Sequence, residues 1–438
     1  MNFISRLSSK TLDATAQSLA IKRIMSTALE AASPDNAVRA ALKKEDKRLS
    51  VGSREFLLEK LDHIYIVAFG KAAPAMASAA CEILGDALMG GIVVSKYASN
   101  HNLGKLDFCL AGHPVPDERS QQAGEAILDL LVQCNENDLL IFLISGGGSA
   151  LITSPVAGVS LADLQTLTSL LLSSGARIDE INTLRRALDS VKGGGLAQAA
   201  HPAKQVSLIL SDVVDSPLEA IASGPTVPNP TSNSDARAVL EKYDLLAKTP
   251  PAILTALHQD PDKKSPVLGE TLIIGSNRIS AEAAHKAAMH EGFSAQILTT
   301  SLQGEAAEKG RELAEYLLSV VERSACIIVG GETTVTLGAD PGLGGRNQEM
   351  ALATVELLDG AENALFITLA TDGDDGPTDA AGAVVNGGTF KRAKKLGHDP
   401  QAHLRAHSAY PFFDSLGDLL KPDPTGTNVN DLIFLFRI

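Results

Sequence analysis

Tryptophan is absent from the 438 residues and aromatics make up only 4% of them, which speaks against an all-β sandwich. The four cysteines, Cys81, Cys109, Cys134 and Cys326, show no C-x-x-C spacing and lie in or beside apolar segments. That pattern speaks against a thiolate metal site or a disulfide framework and reads as buried thiols in a reducing compartment. No apolar run approaches the roughly 18–20 residues of a membrane span. Positive charge is short as well: 38 Lys and Arg face 52 Asp and Glu, a formal net charge of −14. Such a balance lacks the broad basic face that nucleic acid or an anionic membrane requires, so neither is expected as a partner. Two phosphate-binding signatures are also missing, the GxGxxG dinucleotide fingerprint and the GxxxxGK[ST] loop.

What the chain does have is 37 glycines and a repeated alternation of short apolar strands with helical text. The strand candidates are 63–69, 91–95, 107–111, 139–145 and 206–211, then a second set at 271–276, 294–300, 326–331, 365–371 and 431–436. Alternation of this kind predicts an α/β fold with a mostly parallel sheet covered on both faces. A chain this long is expected to form two domains. Stretches rich in Pro, Ser, Asn and Asp at 223–236 and 248–266 mark the boundary, giving domains 1–250 and 265–438. The opening residues carry Arg6 and Lys10 with no acid before Asp13. They read as a disordered start to a cytoplasmic protein, with a mitochondrial leader as the lesser alternative. An amphipathic helix follows, with Leu19, Ile21, Ile24, Met25 and Leu29 near helical spacing.

In open α/β sheets, ligands lie beyond the carboxyl ends of the strands, and this chain puts unusual residues there repeatedly. Lys71 follows a strand and Gly70. After the strand 139–145 comes Ser145-Gly146-Gly147-Gly148-Ser149, whose glycines can expose consecutive amides to an anion, with the two serines as further donors. The stretch 175–197 carries Asn182 and Arg185 off its apolar stripe, and its helix is expected to run to Lys192 and the glycine run 193–195. Asp212 ends another strand, where a carboxylate can orient a hydroxyl, accept its proton or hold a magnesium ion through water. In the second half, Glu332 lies just past a strand. Arg346, next to Asn347, opens a helix from a glycine-rich loop and can bridge phosphate oxygens. Asp372, Asp374, Asp375 and Asp379 crowd one loop; turn-forming acids or a magnesium–nucleotide site are both open readings, with Asp372 and Asp375 the candidate ligands. Glycine–cation loops on one domain, with arginine and acids on the other, point to phosphoryl transfer.

The stretches "VAFGKAAPAMA", "GHPVPDERS", "LISGGGSAL", "GARIDEINTLRRALDSVKGGGLA", "SLILSDVVDSPLEAIASGPT", "GGETTVT", "GLGGRNQE", "TDGDDGPTDAAGA" and "GTNVNDL" follow one another along nearly the whole chain. In this combination the sequence resembles the class II glycerate kinases, a family with a C-terminal MOFRL domain. The resemblance implies an N-terminal Rossmann-like domain, a smaller C-terminal α/β domain and an active site in the cleft between them. It implies ATP-dependent phosphorylation of D-glycerate to 2-phosphoglycerate, with ATP and Mg²⁺ required. Lys71, Asp212 and Arg346 match the family's catalytic positions. The expected ligand contacts are Ser145, Gly146, Gly147, Gly148, Ser149, Asn182, Arg185, Lys192, Glu332 and Asn347, and a homodimer is left open. Departures from the family pattern occur at Asp215 and Ser216, where a glycine and an acid are usual, at Ala187 in place of a histidine, and at Asp374 in place of an apolar residue. The alternative activities are an NAD(P)-dependent hydroxypyruvate reductase, against which the missing fingerprint stands, and a non-enzymatic phosphometabolite-binding protein.

Overall fold

The computed structural model describes residues 3–259 and 269–438. The last part of the expected linker, 260–266, lies outside the described residues. The chain forms two compact units, Pro34–Ile274 and Met1–Ser33 together with Gly275–Ile438. The division therefore falls later than the expected 250–265, and the first 33 residues go with the C-terminal half.

In the unit Pro34–Ile274 a helix at Pro34–Ala41 leads into a three-stranded antiparallel meander, β1 (Leu42–Glu45), β2 (Arg48–Val51) and β3 (Arg54–Leu57), which the charged text of this region does not announce. Its main sheet contains β4 (Ile64–Phe69), β5 (Leu88–Ser95), β6 (Leu106–Leu110), β7 (Leu139–Ser145), β8 (Lys204–Leu210) and β9 (Glu270–Gly275), in the spatial order β6-β5-β4-β7-β8-β9. The pairs β5–β6, β4–β5, β4–β7 and β7–β8 are all parallel. From β4 the chain builds outward to β5 and β6 on one side, then crosses back to β7 and β8 on the other. The sheet therefore reverses direction between β4 and β7, the position where such sheets open a crevice at their carboxyl edge. Register keeps the strand ends level: Phe69 lies beside Val94 and Ile144. β7 is buried along its whole length, the mark of a strand covered on both faces.

Two expectations change here. β9 was grouped by sequence with the second half, yet it extends the first sheet beside β8. The segment 223–236 and the described part of the other, 248–259, are also less loose than their composition suggests. Ser232 and Asp235 form a reciprocal cap for a helix at Asn233–Lys242, and Pro250-Pro251 starts another at Pro251–His258, so turn-forming residues here act as helix starts.

The second unit is built on β10 (Ser294–Leu302), β11 (Ala325–Gly331), β12 (Ala364–Ala370), β13 (Gly382–Asn386), β14 (Leu419–Leu420) and β15 (Asp431–Arg437), in the order β10-β11-β15-β12-β13-β14. Only β10–β11 pair in parallel among the described residues; the other pairs are antiparallel. The expected mostly parallel sheet is thus the first one; in the second, mostly antiparallel sheet the strand β15 inserts between β11 and β12. Side chains of β15 alternate between two cores. Ile433 and Leu435 face one containing Met350 and Phe412, while Leu432, Phe434 and Phe436 face another containing Phe3, Leu7, Ile21, Ile24 and Met25.

That second core overturns the expectation of a disordered start. Phe3 and Leu7 are buried, and the backbone amide and hydroxyl of Thr11 donate to the buried Asp418 carboxylate at 2.9 and 3.0 Å. The helix Ser18–Ala31 presents Ile21, Ile24, Met25, Ala28 and Leu29 inward, while Leu19, expected on that face, is 53% exposed. All four cysteines are free, but only Cys134 and Cys326 are fully buried. No helix among the described residues is long and apolar enough to cross a membrane.

Because Ile24 is fully buried in a core shared with β15, Ile24→Ala is expected to lower stability by about 2–5 kcal/mol through lost burial and an unfilled cavity. A urea midpoint unchanged from that of the parent chain would contradict this packing.

Candidate active site

Five neighbouring parallel strands of the first unit deliver the residues that follow them to one edge of the sheet: His113 after β6, Lys96 after β5, Lys71 after β4, the glycine run after β7 and Asp212 after β8. The three glycines are required for different reasons. Gly147 adopts φ +84°, a conformation that L side chains rarely tolerate. A β-carbon on Gly146 would lie 1.8 Å from Asp212 Oδ2, and one on Gly148 would press on Phe69 and Ala222, each 2.9 Å away. The turn is therefore packed against a carboxylate on one side and the core on the other. At Gly147 the same imaginary β-carbon would meet His113 Nε2 at 3.1 Å and Lys71 Cγ at 3.3 Å. Those two side chains flank the turn.

The flanking serines separate in role. Ser145 is 1% exposed, and its Oγ accepts the Ala72 N–H at 3.0 Å, bracing the Gly70–Lys71 turn from below. It does not face a ligand as expected. Ser149 Oγ lies 2.8 Å from Ser223 Oγ, which donates to Asn182 Oδ1 at 3.0 Å; Arg185 Nη1 reaches the same oxygen at 3.4 Å. This chain of contacts holds Ser149, Asn182 and Arg185 together.

The expected phosphate contact Lys192 is a structural cation. The helix ends at Leu188, earlier than expected, and Gly194 caps a new helix at Gly195–Ala199. Lys192, 5% exposed, pairs with Asp189 and donates to the Ile152 carbonyl at 3.0 Å. Its charge is thus consumed inside the protein.

Lys71, Lys96 and Arg185 differ from it. None has a carboxylate within 4.0 Å among the described residues. Lys96 lies over the Tyr97 ring at 4.2 Å, and Arg185 has only the long contact to Asn182. All three bear on His113, whose proton affinity is lowered by burial and then by Lys71, Lys96 and Arg185. Asp212 is shifted the other way: burial raises its pKa, against the opposing pull of Lys71 and its own backbone amide. Three cations without a carboxylate within 4.0 Å, an imidazole of lowered proton affinity and a carboxylate that holds its proton more readily than usual form a site for an anion bearing a hydroxyl. Asp215 and Ser216 stand beyond Asp212 in a turn with φ +59° and +51°, Asp215 on the exposed side.

The second unit collects a different set. Arg346 is the first residue of the helix Arg346–Thr354. Its Nε and Nη2 bind Asp431 at 2.6 and 3.2 Å, and Nη1 binds Glu332 at 2.7 Å. Burial opposes its charge, but Asp431 and Glu332 outweigh burial and hold the guanidinium more firmly protonated than usual. Asp375 accepts the backbone amides of Asn347 and Gln348 at 3.1 and 2.9 Å, capping that helix from outside. Burial pushes Asp375 up to about 7, with the two amides opposing and Asp431 adding to the rise. Asn347, expected as a ligand contact, is 1% exposed with its side-chain amide turned toward Asp375. Asp372 is raised chiefly by burial. No group of three or more His, Cys, Asp or Glu is disposed to hold a metal among the described residues, so Asp372 and Asp375 do not make a protein cage.

Residues 20–258 match the family described as Domain of unknown function (DUF4147), and residues 325–431 match the MOFRL family. The chain is 43% identical over 419 residues to the D-glycerate 2-kinase of Thermotoga maritima, covering 94% of this chain and 96% of that one. It is 42% identical over 426 residues to the glycerate 2-kinase of Pyrococcus horikoshii, covering 94% and 95%. A crystal structure of the Thermotoga maritima glycerate kinase superposes with a TM-score of 0.85 at 42% identity, over 96% of this chain and 98% of that one. Fold and matches define a two-unit α/β protein that joins a DUF4147 unit to a MOFRL unit. The chain belongs to the glycerate 2-kinase family.

His113, Lys96, Ser223 and Asp431 were not singled out from sequence. His113 and Lys96 obey the same rule that exposed Lys71: a polar residue within the first three positions after a parallel strand.

Lys192→Ala is expected to cost about 3 kcal/mol by stranding Asp189 in the interior, read as a lower urea midpoint. A loss below about 1 kcal/mol would show that the pair is not a buried structural bridge.

Proposed function

We infer that the protein is a kinase that transfers a phosphoryl group from a nucleotide to D-glycerate, forming 2-phosphoglycerate. Kinship with glycerate 2-kinases over nearly the whole chain supports the reaction. The observation that carries it to particular residues is the cluster around His113: Lys71, which flanks the glycine turn, with Lys96 and Arg185, none with a carboxylate within 4.0 Å among the described residues.

D-glycerate has one carboxylate and two hydroxyls, and the first unit offers a matching set. The carboxylate sits among the three cations, with the exposed Lys71 shared with the migrating phosphoryl group. Asp212, against Gly146 and close to Lys71, accepts a hydrogen bond from a hydroxyl. Phosphoryl transfer needs little covalent chemistry from the protein; its rate comes from alignment and from neutralising charge as it shifts between oxygens. Arg346 contributes through the two N–H groups left over from Asp431 and Glu332, and Glu332, being more exposed than Asp431, is the partner that can yield to a phosphate.

ATP is the donor, taken as its magnesium complex. Asp375 spends its oxygens on helix amides, so the ion is held chiefly by the nucleotide's own phosphates, the usual arrangement for magnesium. The four free thiols suit a reducing compartment, the cytoplasm.

Purified protein with D-glycerate and MgATP is expected to release ADP and form 2-phosphoglycerate, while hydroxypyruvate with NADH gives no NADH loss. Lys71→Ala, with its fold retained, is expected to lower kcat/KM by about 10²–10³-fold, on the scale of removing one donor to developing charge. NADH oxidation without ADP release would contradict the kinase reading.

A further inference from the structure

His113 stands in the anion site without a partner. Among the described residues neither ring nitrogen makes a hydrogen bond, although the side chain is half-buried and its Nε2 edge lies against Gly147, the residue at which the turn is tightest. The charged groups around it come from several elements. Lys71 approaches from the turn after β4, Lys96 from the end of β5, and Arg185 from the helix Ile178–Leu188. Asp212 lies beyond Gly146, next to Lys71. On its own segment, Asp117 is engaged by Arg119 at 2.6 Å and by the Gly112 amide at 3.0 Å. Burial first, and then the three cations, lower the proton affinity of the imidazole, which favours a ring nitrogen with a free lone pair.

We propose that His113 takes the proton of the attacking hydroxyl, and that the carboxylate of the same substrate molecule, by offsetting Lys71, Lys96 and Arg185, equips it to do so. This rests on the glycerate kinase reading given above. In the step, the hydroxyl O–H bond breaks and its proton passes to the unprotonated nitrogen of His113. The oxygen forms a bond to the γ-phosphorus, and the bond from that phosphorus to the bridging oxygen breaks, its electron pair leaving with ADP. Asp212 then serves as an acceptor that orients the substrate. An imidazole suits the proton better than a carboxylate because a base works best when its pKa lies near the operating pH. Without substrate, burial and then the three cations lower the proton affinity of His113; a bound carboxylate offsets the cations' share.

The sign of the pH dependence follows. Since the anion raises the proton affinity of His113, the complex carries more protons than the free protein at pH values between the two pKa values. D-glycerate binding then takes up a proton in that window and tightens as pH falls through it.

The test is calorimetry of D-glycerate binding near pH ~6 in two buffers of different ionisation enthalpy, with the wild-type protein, His113→Gln and Asp212→Asn. Proton uptake is expected in the wild type and Asp212→Asn and absent in His113→Gln. The His113→Gln variant should also lose about 10²–10³-fold in kcat/KM, together with the acidic limb of the pH profile. No uptake in the wild type overturns the proposal even if the variants fail to fold. So does uptake kept in His113→Gln, uptake lost only in Asp212→Asn, or kcat/KM of His113→Gln within about threefold of wild type. A wild-type protein that does not turn over D-glycerate sinks the kinase reading and the proposal together, an outcome distinct from turnover that is indifferent to His113.

Discussion

Three positive charges held around a backbone turn, with no carboxylate assigned to them, are the constraint on which this molecule's chemistry depends. The chain has 52 acids against 38 bases, so acidic partners were plentiful, and elsewhere they are used freely: Lys192 has Asp189, Arg346 has Asp431 and Glu332, Arg392 has Asp418. Lys71, Lys96 and Arg185 lack such close partners among the described residues, Asp212 and Asp189 acting on Lys71 and Arg185 only from beyond ion-pair distance, and this favours an anionic ligand among them. The net charge of −14 does not prevent this, because interactions beyond about 8 Å are largely screened at physiological ionic strength. Bringing the cations together also requires the glycine run, since any side chain at Gly146 or Gly147 would occupy the volume that Asp212, His113 and Lys71 approach.

The second unit solves the opposite problem. Its candidate arginine, Arg346, is closely paired, clamped along one edge by Asp431 at the start of β15 and touched by Glu332 after β11. The helix that Arg346 begins is capped by Asp375 rather than by its own preceding residue, Gly345, which has no side chain to do so. Asp431 and Glu332 fix the orientation of Arg346; in the proposed kinase reaction that preorganisation would remove cost from the moment of transfer. On the proposed kinase reading, the cations of the first unit select an anion, while the arginine of the second is held in place in advance.

Much of the fold was legible because buried strands are written as unbroken apolar runs. The expected 139–145 is β7, and most other strand candidates lie within a residue or two of the observed bounds. The parallel sheet and the positions of Lys71 and Asp212 followed from that. What could not be read were relations across long separations. Arg346 and Asp431 are 85 residues apart, and Thr11 and Asp418 are 407 apart; nothing local in either pair signals the other. The same blindness let the opening residues pass as disordered when Phe3 and Leu7 fill a core completed by β15, and it let Lys192 pass as a ligand contact when its pairing with Asp189 depends on a helix that ends earlier than its text implies. His113 and Lys96 were legible in principle: the strand-end rule applied to Lys71 reaches them too.

The most direct measurement is a crystal structure of the protein with D-glycerate bound. The carboxylate of the substrate is expected within hydrogen-bond reach of at least two of Lys71, Lys96 and Arg185, beside the Gly146–Gly148 turn. D-glycerate bound elsewhere on the chain, with those three side chains still lacking an anionic partner, would contradict the account.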